Sequence, residues 1–141
     1  MINSIIESIS ISLNAEFGDE YTIYTESVEQ GLNEPCFFLF CINPTNRVFL
    51  GNRYFRENQC CIQYFPVDKD QAREECHAVA ERLFLCLEYI IITRDLARGT
   101  KMKYEVVDGV LNFFVNYDSF VYKVVSPDVM GEISENITMK G

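Results

Sequence analysis

Seven consecutive apolar residues, Cys36-Phe37-Phe38-Leu39-Phe40-Cys41-Ile42, constrain the fold of this chain more than any other feature. The run is far short of the roughly 20 residues that cross a bilayer as a helix. Pro35 before it and the turn-forming Asn43-Pro44-Thr45-Asn46 after it make it read as a strand. In an extended chain Phe37, Leu39 and Cys41 alternate with Cys36, Phe38, Phe40 and Ile42, so neither face is polar. Both faces therefore need cover: one from the core, the other from a curled sheet, a long loop or another subunit. Assembly with further copies is the expected contribution.

The flanking sequence supplies the rest of a small α+β unit. Ile2, Ile5, Ile6, Ile9, Leu13 and Phe17 recur at steps of three and four, one stripe of an amphipathic helix that Gly18-Asp19 ends. Tyr21 to Thr25 reads as a short strand, and the polar stretch from Ser27 to Glu34, with Gly31, as a loop. Arg47 to Leu50 is a short strand, Gly51-Asn52 a turn, and the chain from Arg53 to Phe65 is extended again. Asp68, with Gln71 three residues on, caps a second helix of about five turns. Its stripe is Ala72, Cys76, Val79, Leu83, Cys86 or Leu87, and Ile90, with Glu74, Glu75, Glu81 and Arg82 toward solvent. Arg94 to Thr100 reads as a polar connection.

Asp108-Gly109 then marks a hairpin between Lys103–Val106 and a strand that turns Leu111, Phe113, Val115 and Tyr117 to one side. Phe120 to Val125 continues in β-prone residues after a bend at Asp118-Ser119. The connections are too short for repeated βαβ crossovers, so the expected fold is α+β, an antiparallel or mixed β-sheet with two helices packed on one face. The domain spans residues 1–125. Residues 126–141, with Pro127 and Gly131, read as a polar C-terminal tail that assembly could order.

A length of 141 residues suits one domain, burying roughly 65–70% of its extended surface. The formal net charge of −9 works against binding to a nucleic-acid backbone, although a negative surface can line a channel through which a polyanion moves without sticking. The charge is uneven. Residues 1–46 hold seven acids and no Lys or Arg, whereas residues 47–123 hold eleven of each sign. An acidic patch of one copy set against arginines of the next would give directional ring contacts.

No run is long enough for a transmembrane helix, and the opening residues lack the basic start of a signal peptide, so a cytoplasmic chain is expected. The six cysteines form no CxxC and sit among apolar neighbours, where reduced cysteine acts as a small core hydrophobe.

Reactive constellations are few. His77 follows Cys76 and falls off the apolar stripe of the second helix, on its surface. Cys60 and Cys61 point to opposite faces of a strand, which argues against a zinc site with Cys76 and His77. Glu74 and Glu75 diverge by about a third of a turn and are not a prearranged acid/base pair. There is no GxSxG elbow, GxGxxG, Walker-A loop or HExxH. No catalytic, cofactor-binding or metal-ligating residue is assigned. Arg47, Arg53 and Arg56 lie beside Phe49, Tyr54 and Phe55, and are expected to pair with acids of the same or a neighbouring subunit while their stems cover apolar surface.

One combination of segments is distinctive. Ile23-Tyr24, Val28, Gln30-Gly31 and Glu34-Pro35-Cys36-Phe37-Phe38, then Arg53-Tyr54-Phe55 and Ile62-Gln63-Tyr64-Phe65-Pro66, then Asp108-Gly109-Val110-Leu111 and Tyr117 together resemble the small tail-terminator proteins of tailed bacteriophages and prophage-like elements of Gram-positive bacteria. The resemblance runs from the first helix to about Val125. Cys60-Cys61 and the wealth of cysteines depart from it without removing a known functional group.

The resemblance implies a structural virion protein with an α/β sandwich subunit. Such a protein assembles as a ring, commonly hexameric, on the head-proximal end of a completed tail tube. The ring stops tube polymerisation and offers the surface that meets the head or neck connector, and genome DNA passes through its lumen without sequence-specific binding. Its place is the virion tail, and the host cytoplasm during assembly. Partners would be other copies, the tail tube protein and the connector, with no membrane and no cofactor. The contact candidates are Glu29, Gln30 and Glu34 in the first loop, Arg47, Arg53, Tyr54 and Arg56 further on, and the Pro127 tail. Reversing the charge at Arg53 or Arg56 is expected to alter assembly more than folding. The competing readings are a head-completion or head-tail joining protein and, from another class, a non-viral adaptor domain with an apolar pocket.

Overall fold

A computed structural model describes residues 2–25, 33–125 and 135–140 of the chain. The first helix forms as its stripe predicts: α1 spans Ile2–Phe17 and buries Ile5, Ile9, Leu13 and Phe17. After Gly18, at φ +87°, comes the short strand β1 (Thr22–Tyr24). It lies parallel to the start of β2 (Cys36–Leu50), with Thr22 opposite Cys36. β3 (Arg53–Phe65) returns antiparallel to β2.

The two-residue link Gly51-Asn52 carries a positive φ at Gly51, the geometry that a tight hairpin requires of its first turn residue. The expected break at Asn43–Asn46 does not occur. Ile42 pairs with Gln59 and Thr45 with Glu57, so two residues of β2 face one of β3 in a bulge. Asn43, at φ +43°, and Pro44, which has no N–H to satisfy, fit that extra residue, and the strand runs on to Leu50.

The second helix is shorter than its pattern suggests. α2 covers Ala72–Cys86, about four turns. Asp68 Oδ1 accepts the N–H groups of Asp70 (2.9 Å) and Gln71 (3.3 Å), so it caps the turn leading into the helix, while Gln71 stands at the N-cap without a side-chain cap bond. Ile90, expected on the helical stripe, instead belongs to β4 (Tyr89–Ile92). There Ile90 and Ile92 point inward and Tyr89 and Ile91 outward, a period of two that the β-branched run favours over a fifth helical turn. β5 (Asp95–Arg98) pairs with β4 where a polar connection was expected. Gly99 follows because nothing larger fits: a Cβ there would lie 2.6 Å from the Leu87 carbonyl oxygen and 2.8 Å from Val115.

The hairpin of β6 (Thr100–Val107) and β7 (Val110–Asn116) turns at Asp108-Gly109, both at positive φ, as expected. β8 (Ser119–Val125) follows, and β9 (Glu135–Lys140), within the segment read as a polar tail, pairs antiparallel with it.

Among the described residues the main sheet has seven strands in the order β1-β2-β3-β7-β6, with β8 joined to β3 and β9 to β8. One face carries Phe37, Leu39, Ile62, Tyr64, Leu111, Phe113 and Val115, and the apolar stripes of α1 and α2 close over it. The fold is thus α+β, a mixed sheet with both helices on one face. Each fully buried Leu, Ile or Phe there contributes roughly 1.5–3 kcal/mol over an exposed one. Arg82 ties the helices together, its Nε 3.0 Å from Glu16 Oε1 and its guanidinium 4.1 Å from the Phe17 ring centre. Tyr64 donates a 2.7 Å hydrogen bond to Glu75, and Tyr117 a 2.6 Å bond to the Leu87 carbonyl.

The opposite face is covered unevenly. Cys36 and Cys61 are buried, Phe38 stacks on Tyr24 at 5.4 Å, and Phe40 is 38% exposed. All six cysteines are free thiols. Among the described residues, no helix is long and apolar enough to cross a membrane.

Candidate functional site

β2 has 15 residues and spans on the order of 45–50 Å at strand rise. That exceeds what the helices cover. Up to about Ile42 the strand lies over the core; from Asn43 to Leu50 every residue is exposed. β3 carries its partner out with it, and β8 and β9 extend the sheet on the far side of β3. The product is a projecting β-arm.

β3 changes neighbour where the arm begins. Gln59–Tyr64 pair with β7 and Arg53–Arg56 with β8. Asn58, 2% exposed, sits between the two: its Nδ2 donates to the Tyr117 carbonyl at 3.1 Å, and its own carbonyl accepts the Tyr117 N–H at 3.0 Å. Next to this corner, burial pushes the Asp118 carboxyl above its ordinary range, opposed in part by the backbone N–H of Asn58.

Alternation sorts the arm into two faces. Arg47, Phe55 and Phe120 stand opposite one another across β2, β3 and β8. Phe49 joins them, its ring 5.0 Å from Phe120, and Phe120 lies 5.2 Å from Phe55. Arg53 stacks over Phe120 at 4.9 Å and over Phe49 at 5.7 Å, and Arg47 over Phe55 at 5.6 Å. Arg47 also pairs with Glu57 at 2.7 Å. Arg47, Phe49, Phe55 and Phe120 line a shallow cleft. The other face carries Val48, Tyr54 and Val121, with Arg56 Nε donating to Asn46 Oδ1 at 3.3 Å. At the tip Val48, Phe49 and Leu50 are 68%, 57% and 68% exposed.

Four of the residues singled out in the sequence, Arg47, Arg53, Tyr54 and Arg56, come together on this arm. Glu34 does not join them. It precedes the opposite end of β2 and pairs with Lys69 at 2.9 Å. Glu29 and Gln30 lie outside the described residues, as does Pro127. The apolar tip lies inside the Arg47–Arg56 region expected to make contacts, and Val48-Phe49-Leu50 abuts Gly51-Asn52, a hairpin signature that places the run at a turn, where a core has no room for it; Phe120, from β8, has no such signal in the sequence.

The arm has the chemistry of an adhesive surface: planar cations on rings, an apolar end and exposed backbone edges. His77, the one histidine, is exposed on α2 and bonds Tyr104 Oη at 2.8 Å through Nδ1. Among the described residues no three His, Cys, Asp or Glu side chains converge on a metal-sized site. A comparison with curated proteins finds no match. The family described as Phage tail terminator protein matches residues 4–128, from the first turn of α1 through the arm and β8. With nearly the whole described fold inside that match, this chain belongs to the phage tail terminator family, whose role in the tail is structural.

Proposed function

We propose that copies of this chain form a ring, six in number, that caps the head-proximal end of the tail tube, stops its polymerisation and presents the surface met by the head or neck connector. Family membership supports the tail role. The observation that carries the interfacial mechanism is the arm, because its tip exposes three adjacent apolar side chains at a distance from the core. Contiguous exposed apolar surface of this kind marks a contact site. Three side chains cannot supply the roughly 1,200–2,000 Å² of a stable subunit interface, so the arginine–aromatic face beside them is included in the contact.

An arm meeting a receiving surface on a different part of the next subunit is a heterologous contact, which closes a ring when its rotation divides a full turn. Glu7, Asp19 and Glu20 in the base-free first third of the chain are acidic partners for Arg47 and Arg56 of a neighbour. Glu34, already paired with Lys69, and Glu29 and Gln30 are further contacts in this reading. One face of the ring would engage the last tube ring and the other would deny the next tube subunit its usual contact, while DNA passes through an acidic lumen without being held.

Electron microscopy of tubes assembled from the tail tube protein, with and without this chain, tests the reading. Capped tubes of arrested length are the expected outcome. Tubes that elongate uncapped in its presence would overturn it, and preferential binding to the connector over the tube would make it a joining protein instead.

A further inference from the structure

Cys41 and Cys60 face each other across β2 and β3, with their Sγ atoms 3.5 Å apart, one rung short of the Ile42–Gln59 pair that precedes the bulge. Directly opposed residues of antiparallel strands hold their Cα atoms about 4.5–5.5 Å apart, inside the roughly 4.4–6.8 Å found for disulfide-bonded cysteines. Joining these two therefore requires side-chain rotation that closes the gap to about 2.05 Å, with no relocation of a strand. The neighbouring thiols are placed differently. Cys36 stands opposite Phe65, and Cys61 opposite Phe40 and Phe114, both on the other face of the sheet.

The pair is also asymmetric. Cys60 is 1% exposed and sealed in the core, whereas Cys41 is half-buried. A hydrogen bond between them lowers the Cys41 thiol and, together with burial, raises that of Cys60. Thiol exchange uses this division: an accessible thiolate attacks, and a protected thiol resolves.

We propose that Cys41 and Cys60 are an oxidisable dithiol site that reacts with a low-molecular-weight disulfide and closes into a cross-strand bond at the root of the arm. The Cys41 thiolate attacks one sulfur of the small disulfide, forming a mixed disulfide and expelling one small thiolate, which takes up a proton. With Cys41 capped, the resolving thiol is Cys60, whose Sγ lies 3.5 Å from that of Cys41. Cys60 attacks the Cys41 sulfur, the bond to the small thiol breaks, and the proton of Cys60 passes to that departing thiolate, which leaves as the second small thiol. Two protein thiols lose two electrons, and one small disulfide becomes two thiols. The bond links residues 19 apart in sequence and staples β2 to β3 next to the bulge at Asn43-Pro44.

Oxidised glutathione on the folded full-length protein tests this without reference to tails. Trypsin leaves Cys41 in the fragment of residues 1–47 and Cys60 in that of residues 57–69. Unreduced digests should show these fragments covalently joined and reduced digests should show them apart. The link should persist in Cys36→Ser and Cys61→Ser and vanish in Cys41→Ser, a half-buried change that keeps the test valid even where Cys60→Ser fails to fold. The oxidised protein should melt roughly 5–10 °C higher than the reduced one. The proposal fails if both thiols still react with an alkylating agent after oxidation, if a glutathione adduct on Cys41 persists without cross-linking, or if the link survives in Cys41→Ser.

Discussion

At the corner where β3 leaves β7 and takes up β8, Asn58 holds two strands in place with one side chain and one carbonyl, both directed at Tyr117. Alanine at this position would leave the buried Tyr117 carbonyl short of a donor, a loss of about 1–3 kcal/mol. Asn58→Ala should lower the unfolding free energy by that amount in equilibrium urea denaturation, while Gln59→Ala, one residue on and only partly buried, should stay within about 1 kcal/mol. Equal effects at the two positions would remove Asn58 from its role. Nothing in the sequence distinguishes Asn58 from other polar residues in extended chain, because its importance comes from a partner 59 residues away. The arginines are a contrasting case. Arg47, Arg53 and Arg56 stood out by their aromatic neighbours, and the structure puts Arg47 and Arg53 on those rings and Arg47 on Glu57. Which acids of another copy they would meet in the proposed ring is not a local property.

The elements were legible where periodicity and turn chemistry agreed. α1 and the Asp108-Gly109 hairpin satisfy both, and both form as read. α2 was read too long because Ile90 fits a helical stripe and a strand equally well, and the choice falls to the core contact that β4 makes beside α1. The β4–β5 turn was invisible for a different reason. Thr93 and Arg94 occupy it at φ +49° and +70°, in the left-handed region where Asn and Gly are the usual occupants. A β-branched residue there costs about 1–2 kcal/mol relative to an unstrained one. The double change Thr93→Asn and Arg94→Gly should therefore stabilise the protein by about 1 kcal/mol, read as a rise of roughly 3–5 °C in melting temperature. A melting temperature that falls would mean that the Arg94 side chain does more for the hairpin than the strain takes away.

At the scale of the molecule, the fold separates a domain that packs from an arm that reaches. The strand from Cys36 to Ile42 carries apolar side chains on both faces, and the chain covers the second in part with its own Tyr24 and Phe65 against Phe38. What the sequence reading did not anticipate is that the same strand continues through a bulge and displays its far end. The arm's function can be separated from its packing at the tip. Reversing the charge at Arg53 is a poor instrument for this, because Arg53 is half-buried between Phe49 and Phe120 and its loss would disturb the arm itself. Val48 and Leu50, each 68% exposed, are better placed. The pair Val48→Asp and Leu50→Asp should leave the unfolding free energy within about 1 kcal/mol of the parent. It should also reduce self-association at least tenfold by sedimentation velocity, because carboxylates buried unpaired in a contact are expensive. If the variant assembles and arrests tube growth at the parent concentration, the tip is mere surface and the joining contact lies elsewhere, on the open edge of β6 or the outward face of β4 and β5. Within the proposed ring the two results correspond to different assemblies: one held by arms reaching across subunits, the other by globular flanks laid side by side.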